Sequence, residues 1–454
     1  MLDGKKLYVK SYGCQMNVYD SERMEENLQS FGCTKVDKHE DSDIIILNTC
    51  HIRHNPTANV YSELGRIKIY KDSQLKKSKR VIVIVAGCVA QAEGEQILKQ
   101  APVVDIVVGT ESYHNLPDLV QKALRSSNEK FINLEFETIQ KFDMLNKPRK
   151  KQSYSSFVSI QEGCDKFCTF CVVPYTRGAE FSRKTNDIIN EIKSLADSGV
   201  VEITLLGQNV NAYHGKDVNN NDFTLAKLCE EIAKIDAIKR IRYTTSHPIN
   251  MTGDLIKAHA SIEKLMPYLH LPIQSGSNNI LKSMNRKHDR DFYLRIIESL
   301  RKSRQDMAFS SDFIVGFPGE TDRDFEDTLD LVKQVGYSQC YSFKYSQRPG
   351  TPADTMKDQI LEEIKDTRLS ILQKLLQEQF DSFNNSTLNK TLDVLFESKG
   401  KRKEYNQIIG KTPYLQAVAV DISSNTNPED YYGKILKTTI TEIKKNSLLG
   451  KIQD

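Results

Sequence analysis

The sequence lacks any apolar run long enough to cross a membrane. No stretch approaches the roughly 18 apolar residues that a spanning helix needs, and the first residues, MLDGKKLYVKSYGC, lack the apolar centre of an export signal. We therefore expect a cytoplasmic protein without a membrane partner. In that compartment the nine cysteines are expected to stay reduced, which favours metal ligation over disulfides.

A strong excess of charge is also missing. The net charge of +3 is too small to indicate a nucleic-acid partner by itself. Residues 385–454 contain 11 lysines and arginines against 8 aspartates and glutamates, so the whole excess lies in this tail. A basic carboxyl-terminal module and an ordinary solvated surface both fit so modest an excess. Hydrophobic and charged contents of 39% and 27% are typical of a soluble, folded chain and exclude a disordered one.

Strands and helices alternate in the amino-terminal part of the chain. Apolar runs typical of buried strands occur at 7–10, 44–47, 81–85 and 106–108, and helical patterns occur at 22–30, 60–70 and 93–100. This alternation predicts a parallel α/β domain over residues 4–120. The polar, lysine-rich composition that follows predicts a linker over residues 121–152.

The same alternation resumes in the centre of the chain. Strands are predicted at 157–160, 202–206, 241–245, 268–271, 309–315 and 341–345, with helices such as 187–197 and 322–335 between them. Six such units predict an incomplete (β/α)6 barrel over residues 153–383, which ends in a helix at 361–383. Short strands at 392–397, 415–420 and 438–443 then predict a small antiparallel β-barrel over residues 384–450.

Three cysteines with the spacing CxxxCxxC stand in one loop. Cys164, Cys168 and Cys171 follow the first predicted barrel strand, so the loop is expected at the end of the barrel where active sites occur. Three thiolates can hold a 4Fe-4S cluster and leave one iron open to a substrate or cofactor. A zinc site is the alternative, although it usually takes four ligands from CxxC pairs. We expect a cluster, with Arg177 of the same loop as a fixed cation available for an anionic group.

Three further cysteines follow predicted strands in the amino-terminal region. Cys14, Cys50 and Cys88 stand after its first three strands, and the carboxyl ends of parallel strands converge on one crevice. A single cysteine in such a place is more often a core residue, but recurrence at three strand ends predicts a second cluster. The other cysteines are predicted to have no chemical role; they are Cys33, Cys229 and Cys340.

Nine strings are distributed along nearly the whole chain: YGCQMN (12–17), LNTCHIR (47–53), GCVA (87–90), EGCDKFCTFCVVPYTRG (162–178), LLGQNVNAY (205–213), TTSHP (244–248), HLPIQSGS (270–277), SSDFIVGFPGET (310–321) and RPGTPA (348–353). In sequence and in order they closely resemble the radical S-adenosylmethionine methylthiotransferase family. The resemblance is greatest to the branch that makes 2-methylthio-N6-dimethylallyladenosine in tRNA.

The resemblance implies an amino-terminal domain with an auxiliary 4Fe-4S cluster, a radical S-adenosylmethionine domain and a carboxyl-terminal RNA-binding barrel of the TRAM type. By position, Cys14, Cys50 and Cys88 match the auxiliary ligands, and Cys164, Cys168 and Cys171 match the ligands of the radical cluster. The implied reaction adds sulfur and a methyl group to carbon 2 of a prenylated adenine beside the anticodon. A radical derived from S-adenosylmethionine suits this reaction because an aromatic C–H bond resists acid–base attack.

The resemblance also implies partners and contacts. The implied partners are a tRNA anticodon stem-loop and a reducing electron donor, and we expect the enzyme to be a monomer. Residues at or beside strand ends are candidate contacts to S-adenosylmethionine: Gly207, Gln208, Asn209, Gln274, Asp312 and Gly316. A basic turn beside Tyr405 suits RNA phosphates, although a solvated hairpin tip fits it as well; its members are Lys399, Lys401, Arg402 and Lys403.

The chain departs from the family pattern after Cys50. His54, Asn55, Pro56 and Thr57 stand where the resemblance leads us to expect a charged helical segment. Pro56 should delay or kink the following helix, although the first turn of a helix tolerates proline.

Two alternative functions remain open at this point. The same chemistry would serve another target, either threonylcarbamoyladenosine in tRNA or an aspartate of a ribosomal protein. From a different class, the chain would be a non-catalytic, redox-sensing RNA-binding protein with structural clusters. Cleavage of S-adenosylmethionine to 5′-deoxyadenosine distinguishes the enzyme from this last alternative.

Overall fold

The computed structural model describes residues 2–50, 54–126, 129–136, 141–143, 153–400 and 406–453. Across these ranges no helix is both long and apolar enough to cross a membrane. The chain forms two compact units. The first consists of Met1–Arg149, Gln161–Asp165 and Cys171–Arg183, and the second of Lys150–Ile160, Lys166–Phe170 and Lys184–Asp454.

A six-stranded parallel sheet forms the centre of the first unit. Its strands are β1 (Lys6–Ser11), β2 (Thr34–Lys35), β3 (Ile44–Thr49), β4 (Ile82–Gly87), β5 (Ile106–Val108) and β6 (Phe131–Asn133), in the order β2-β1-β3-β4-β5-β6. Its helices are Gln15–Gln29, His54–Leu75, Cys88–Glu93, Glu95–Gln100, Leu116–Arg125 and Val173–Arg177. Every residue of β3 and β4 is buried because apolar side chains pack on both faces of the sheet. The predicted parallel α/β fold is confirmed.

The first unit differs from the sequence prediction in the segment predicted as a linker. The helix Leu116–Arg125 extends into this segment, β6 pairs with β5, and Lys141 is fully buried. The sequence did not predict β6 because a three-residue edge strand is too short to show a hydrophobic period. It did not predict the burial of Lys141 because the acidic partners of this lysine are distant in sequence. Pro56 lies in the first turn of the helix that begins at His54, where a missing N–H costs little.

The second unit contains six parallel strands arranged as two three-stranded sheets. The strands from 155 to 344 include two antiparallel pairs: β8 (Gln161–Glu162) with β9 (Phe181–Ser182), which belong to the first unit, and β11 (His214–Lys216) with β12 (Asp222–Thr224). The six parallel strands are β7 (Ser155–Ser159), β10 (Glu202–Leu206), β13 (Arg240–Thr244), β14 (Tyr268–His270), β15 (Ala308–Val315) and β16 (Gln339–Lys344). The sheets have the orders β13-β10-β7 and β14-β15-β16, and a parallel bridge between Ile241 and Leu265 continues one towards the other. The helices of this unit are Thr185–Asp197, Leu225–Ala233, Gly253–Ser261, Asn278–Ser283, Arg290–Ser303, Asp322–Val335 and Glu362–Asn385. The predicted six β/α units are therefore present.

A closed five-stranded barrel follows in the same unit. Its strands are β17 (Thr391–Lys399), β18 (Gln407–Lys411), β19 (Ala417–Asp421), β20 (Ile435–Lys444) and β21 (Ser447–Ile452), in the order β17-β18-β19-β21-β20. The sequence analysis identified three of these strands. The barrel is also not wholly antiparallel, because β19 and β21 pair in parallel.

Two buried arginines join this barrel to the amino-terminal end of the parallel sheet. Arg240 and Arg242 lie on one face of β13, and both pair with Glu202, the first residue of β10. Arg240 donates to the carbonyls of Lys411 at 3.0 Å and of Asp393 at 2.7 Å, and Arg242 donates to the barrel in the same way. Because these donors are buried, the barrel has a fixed attachment to the sheet.

Candidate active site

The three amino-terminal cysteines come together at one edge of the first sheet. Cys14 lies three residues after β1, Cys50 directly follows β3, and Cys88 directly follows β4. β1, β3 and β4 are neighbours in the sheet, so their carboxyl ends adjoin. The Cys14 and Cys50 thiols share a hydrogen bond, and Cys14 also interacts electrostatically with Cys88.

Glycines allow this close approach. Gly13 has a φ of +110°, and a Cβ atom there would lie 2.1 Å from Cβ of Cys50 and 2.8 Å from its Sγ. Gly87, before Cys88, has a φ of +90°, and a Cβ atom there would lie 2.5 Å from the carbonyl oxygen of Thr49. Both positions are closed to larger residues by backbone conformation and by space.

The thiols have the electrostatic surroundings of metal ligands. The hydrogen bond with Cys50 lowers the pKa of Cys14 to about 6, and the positive charge of Arg177 acts in the same direction against desolvation. Burial raises the pKa of Cys88, although Arg177 opposes this effect. Thiolates are the form of cysteine that binds metal.

This donor set fits an iron–sulfur cluster by its chemistry. Three cysteine thiols follow three neighbouring strands of one sheet, and the charge of Arg177 favours the thiolate form of Cys14 and Cys88. Cysteine thiolates are the ligands that normally hold a 4Fe-4S cluster, and three of them would leave one iron open.

A buried ionic cluster connects the auxiliary cysteines with the loop that follows Cys171. Arg177 binds Asp20 at 2.7 Å and Glu162 at 3.1 Å, and Lys141 binds Glu162 at 2.5 Å. Burial and the charge of Glu162 raise the pKa of Glu111 well above its ordinary value. Burial opposes ionisation of Glu162, but Lys141, Glu111 and Arg177 together lower its pKa to about 2. The charge of Arg177 is thus balanced by the carboxylates of the ionic cluster and acts on the Cys14 and Cys88 thiols.

The segment after Cys171 is part of the first unit. The helix Val173–Arg177 packs against the helix Cys88–Glu93, and the Thr110 hydroxyl donates to the Thr176 carbonyl at 2.7 Å. Cys164 and Cys171 belong to the first unit, whereas Cys168 belongs to the second. One cysteine loop therefore contributes residues to both units.

In the second unit, Cys168 is held by residues 283–286, which we call the 283–286 turn. Arg286 donates to Sγ of Cys168 at 3.3 Å, and both residues are buried. Thr169 donates from its amide to the Met284 carbonyl at 3.2 Å and from its hydroxyl to the Ser283 carbonyl at 2.9 Å. The sequence analysis missed this turn because it lies 118 residues beyond Cys168 and carries no local signal of the contact.

The candidate S-adenosylmethionine contacts lie along the carboxyl-terminal half of the parallel strands. Gly207, Gln208 and Asn209 directly follow β10, and the Gln274 amide donates to the Asp312 carbonyl of β15 at 3.0 Å. Gly316 directly follows β15, but a Cβ atom there would lie 2.1 Å from Cγ of Lys365. Packing against Lys365 therefore accounts for this glycine without a ligand. Two of the other candidates also have protein partners, since Asp312 pairs with His270 at 3.5 Å and Asn209 donates to Asn250 at 3.2 Å.

Backbone strain occurs at the same end of the sheet. Gln274 has a φ of +83° and Thr245, which directly follows β13, has a φ of +69°. Such conformations cost on the order of 1–3 kcal/mol each outside glycine and are concentrated at functional sites. Thr245 belongs to the TTSHP string, and its conformation adds it to the candidate site.

Two histidines lie near Arg286 in the second unit. The rings of His247 and His288 lie 5.5 Å apart. Burial and the charge of Arg286 lower the pKa of His247 strongly and that of His288 to about 4. Both imidazoles are therefore neutral at physiological pH, and Arg286 supplies the positive charge beside Cys168.

The remaining predicted residues are the basic residues proposed to contact RNA and the three cysteines predicted to have no chemical role. Lys399 is exposed at the end of β17, whereas Lys401, Arg402 and Lys403 lie outside the described residues. Burial raises the pKa of Cys229 to about 12. The absence of a chemical role for Cys33, Cys229 and Cys340 stays a prediction.

Comparison with known proteins covers nearly the whole chain. Residues 6–109 match the family described as Uncharacterized protein family UPF0004, and residues 158–332 match the Radical SAM superfamily. A protein of Rickettsia bellii (strain RML369-C) is 57% identical over 449 residues, 99% of each chain. One of Rickettsia canadensis (strain McKiel) is 56% identical with the same coverage. Both are named tRNA-2-methylthio-N(6)-dimethylallyladenosine synthase.

Solved structures of two other proteins share the fold over most of this chain. The radical S-adenosylmethionine methyltransferase TsrM from Kitasatospora setae aligns with a TM-score of 0.56 at 10% identity, over 77% of this chain and 75% of that one. The cobalamin-dependent S-adenosylmethionine radical enzyme OxsB aligns with a TM-score of 0.51 at 12% identity, over 83% and 56%. At such low identity these alignments support the shared fold alone.

Proposed function

Because the chain belongs to the family of the tRNA-2-methylthio-N(6)-dimethylallyladenosine synthases, we propose that it methylthiolates carbon 2 of N6-dimethylallyladenosine next to the anticodon of tRNA. The observation that carries the proposal is the full-length similarity at 57% identity. The convergence of Cys14, Cys50 and Cys88 supports it, because insertion of sulfur requires a second site besides the one that generates the radical.

We assign two 4Fe-4S clusters to this function. Cys14, Cys50 and Cys88 would hold the auxiliary cluster, and Cys164, Cys168 and Cys171 would hold the radical cluster. When bound, the reduced radical cluster with S-adenosylmethionine supplies hydrogen abstraction from an inert C–H bond, and the auxiliary cluster supplies a place for sulfur.

The protein supplies position and charge to this chemistry. Arg177 holds a positive charge beside the Cys14 and Cys88 thiols, which favours their anionic form. Gln208, Asn209, Gln274 and Asp312 present polar groups near strand ends, where they would orient S-adenosylmethionine. The target base is unpaired in the anticodon loop, so little energy is needed to bring it into a recessed site.

The carboxyl-terminal barrel would bind the RNA. Lys399 is exposed at the end of β17, and we assign phosphate contacts to it and to the three basic residues of the sequence at 401–403. We further propose that the enzyme acts as a monomer in the cytoplasm and receives electrons from a reducing partner.

The experiment uses anaerobically purified protein with a prenylated anticodon stem-loop, S-adenosylmethionine and dithionite. We expect about eight irons per chain, formation of 5′-deoxyadenosine, and methylthiolated RNA detected by mass spectrometry. Changing Cys168 to Ala should abolish 5′-deoxyadenosine formation. Changing Cys50 to Ala should preserve it, lower the iron content to about four and stop sulfur insertion.

The alternatives give distinct results in the same experiment. Cleavage of S-adenosylmethionine without modification of the prenylated RNA would redirect the search to threonylcarbamoyladenosine or to a ribosomal-protein aspartate. Failure of the iron-loaded protein to form any 5′-deoxyadenosine would favour the redox-sensing RNA-binding protein. In cells, persistence of the modified nucleoside in tRNA from a deletion strain would contradict the proposed substrate.

A further inference from the structure

Arg286 is a buried cation for which the described part of the chain supplies no acidic partner. Arg286 is 5% exposed. Across the described ranges no carboxylate forms an ion pair with its guanidinium group. Its Nη2 donates to the Pro272 carbonyl at 2.6 Å, its Nη1 donates to Sγ of Cys168 at 3.3 Å, and its buried Nε has no hydrogen-bond partner in the described residues. A buried charge is costly unless an opposite charge compensates it.

The other buried arginine near the cysteines shows the contrast. Arg177 has Asp20 and Glu162 as partners at 2.7 and 3.1 Å, so its charge is balanced by carboxylates. Among the described residues, the contacts of Arg286 include the sulfur of Cys168 but no carboxylate. Its neighbours His247 and His288 are neutral and supply no negative charge.

The 283–286 turn also fixes the backbone around Cys168. Asn285, with a φ of +60°, donates from Nδ2 to the Phe167 carbonyl at 2.9 Å. Thr169 is bonded to Ser283 and Met284, and its carbonyl accepts from the Ala353 amide at 2.9 Å. The residues on both sides of Cys168 are therefore held by the same turn that presents the guanidinium to its sulfur.

We propose that Arg286 is a positioning residue of the radical site, which hydrogen-bonds the Cys168 thiolate and raises the reduction potential of the cluster that Cys164, Cys168 and Cys171 would hold. The proposal rests on the proposed function, because it requires a cluster at these cysteines. Reduction adds one negative charge to a cluster, and a fixed cation beside a ligand favours the reduced state. Loss of Arg286 should make the cluster harder to reduce.

The test measures the midpoint potential of this cluster alone. The background is a chain with Cys14, Cys50 and Cys88 changed to Ala, which leaves one predicted cluster of about four irons. Arg286→Met, Arg286→Gln and Arg286→Lys are compared in this background by redox titration with electron paramagnetic resonance. Arg323→Met is the matched control, because it removes one arginine charge from a side chain that is 82% exposed.

We expect Arg286→Met and Arg286→Gln to shift the reduction equilibrium at least tenfold towards the oxidised state, which is about 59 mV for one electron. Arg286→Lys keeps the charge but loses the planar fork, so it should lie between them and the parent. Arg323→Met should match the parent. If the Met and Gln variants lose iron, the comparison uses Arg286→Lys, for which we expect a midpoint below that of the parent; a midpoint equal to the parent's would then count against the proposal.

Two results would overturn the proposal. One is a midpoint potential and a spectrum that are the same in the parent, Met and Gln variants at full iron content. The other is loss of iron from the Lys variant as well, since that variant retains the charge. Neither depends on RNA modification, so the proposal can fail while wild-type protein methylthiolates RNA, and it can stand if the RNA substrate is wrong.

Discussion

Replacement of Gly13 by Ala tests whether the approach of Cys14 and Cys50 builds the proposed auxiliary site. The added Cβ would lie 2.1 Å from Cβ of Cys50, a distance at which one backbone segment must move. The positive φ of +110° adds a conformational penalty. An L-residue in a left-handed conformation costs roughly 1–2 kcal/mol, and overpacking adds roughly 1–3 kcal/mol. We therefore expect a loss of about 2–5 kcal/mol in the free energy of unfolding.

Gly4 provides a control that separates the two costs. It also has a positive φ, of +73°, but a Cβ atom there would meet nothing within 4 Å. Gly4→Ala should therefore cost roughly 1–2 kcal/mol and leave the cysteines undisturbed. The difference between the two variants in urea unfolding measures the contact with Cys50.

The functional assay follows iron, 5′-deoxyadenosine and methylthiolated RNA. Gly13→Ala should lower the iron content from about eight to about four per chain, preserve 5′-deoxyadenosine formation and stop sulfur insertion. Gly4→Ala should retain the full iron content and both products. The reasoning would be refuted if Gly13→Ala kept its full iron content and product while unfolding at the same urea concentration as Gly4→Ala.

Three further predictions concern buried charges. Lys141→Met leaves Glu162 with one cation fewer in the buried cluster and should cost about 3–5 kcal/mol in urea unfolding; a change below 1 kcal/mol would contradict the cluster's importance. The pKa of Glu162 is lowered to about 2 from an ordinary value of 4.5, so its stabilisation is complete above pH 4.5 and is lost as the pH falls towards 2. Glu162→Gln should accordingly flatten the dependence of unfolding free energy on pH in this range, and an unchanged slope would exclude the assignment. Changing Arg240 and Arg242 together to Met should expose the barrel junction to limited proteolysis, and wild-type resistance would argue against the attachment.

The sequence predicted regular elements well where local signals were strong. The helix predicted at 322–335 is observed as Asp322–Val335, because Thr321 and Asp324 form a capping box and Gly336 ends the helix in a left-handed conformation. The buried strands were found because their apolar runs are continuous, as in any sheet covered on both faces. The edge strands β2 and β6 were missed because two or three residues show no period.

The candidate site was predictable only in part, for a related reason. Cys14, Cys50 and Cys88 could be grouped because strand ends in a parallel sheet must adjoin. The contact between Arg286 and Cys168 follows from no such rule, since it joins two loops that are distant in sequence. The positive φ of Thr245 was likewise not predictable, because threonine rarely adopts this conformation and nothing in the local sequence indicates it.

The attachment of the carboxyl-terminal barrel through Arg240 and Arg242 fixes a distance between the proposed RNA-binding barrel and the candidate cofactor contacts. The attachment lies at the first residues of β10 and β13, and the candidate cofactor contacts lie beyond their last residues. Five residues of strand span roughly 16 Å, so an RNA bound by the barrel as proposed would have to extend past that length before its target base reached the candidate cofactor contacts. Substrate length, as well as base identity, would then decide which RNAs are modified.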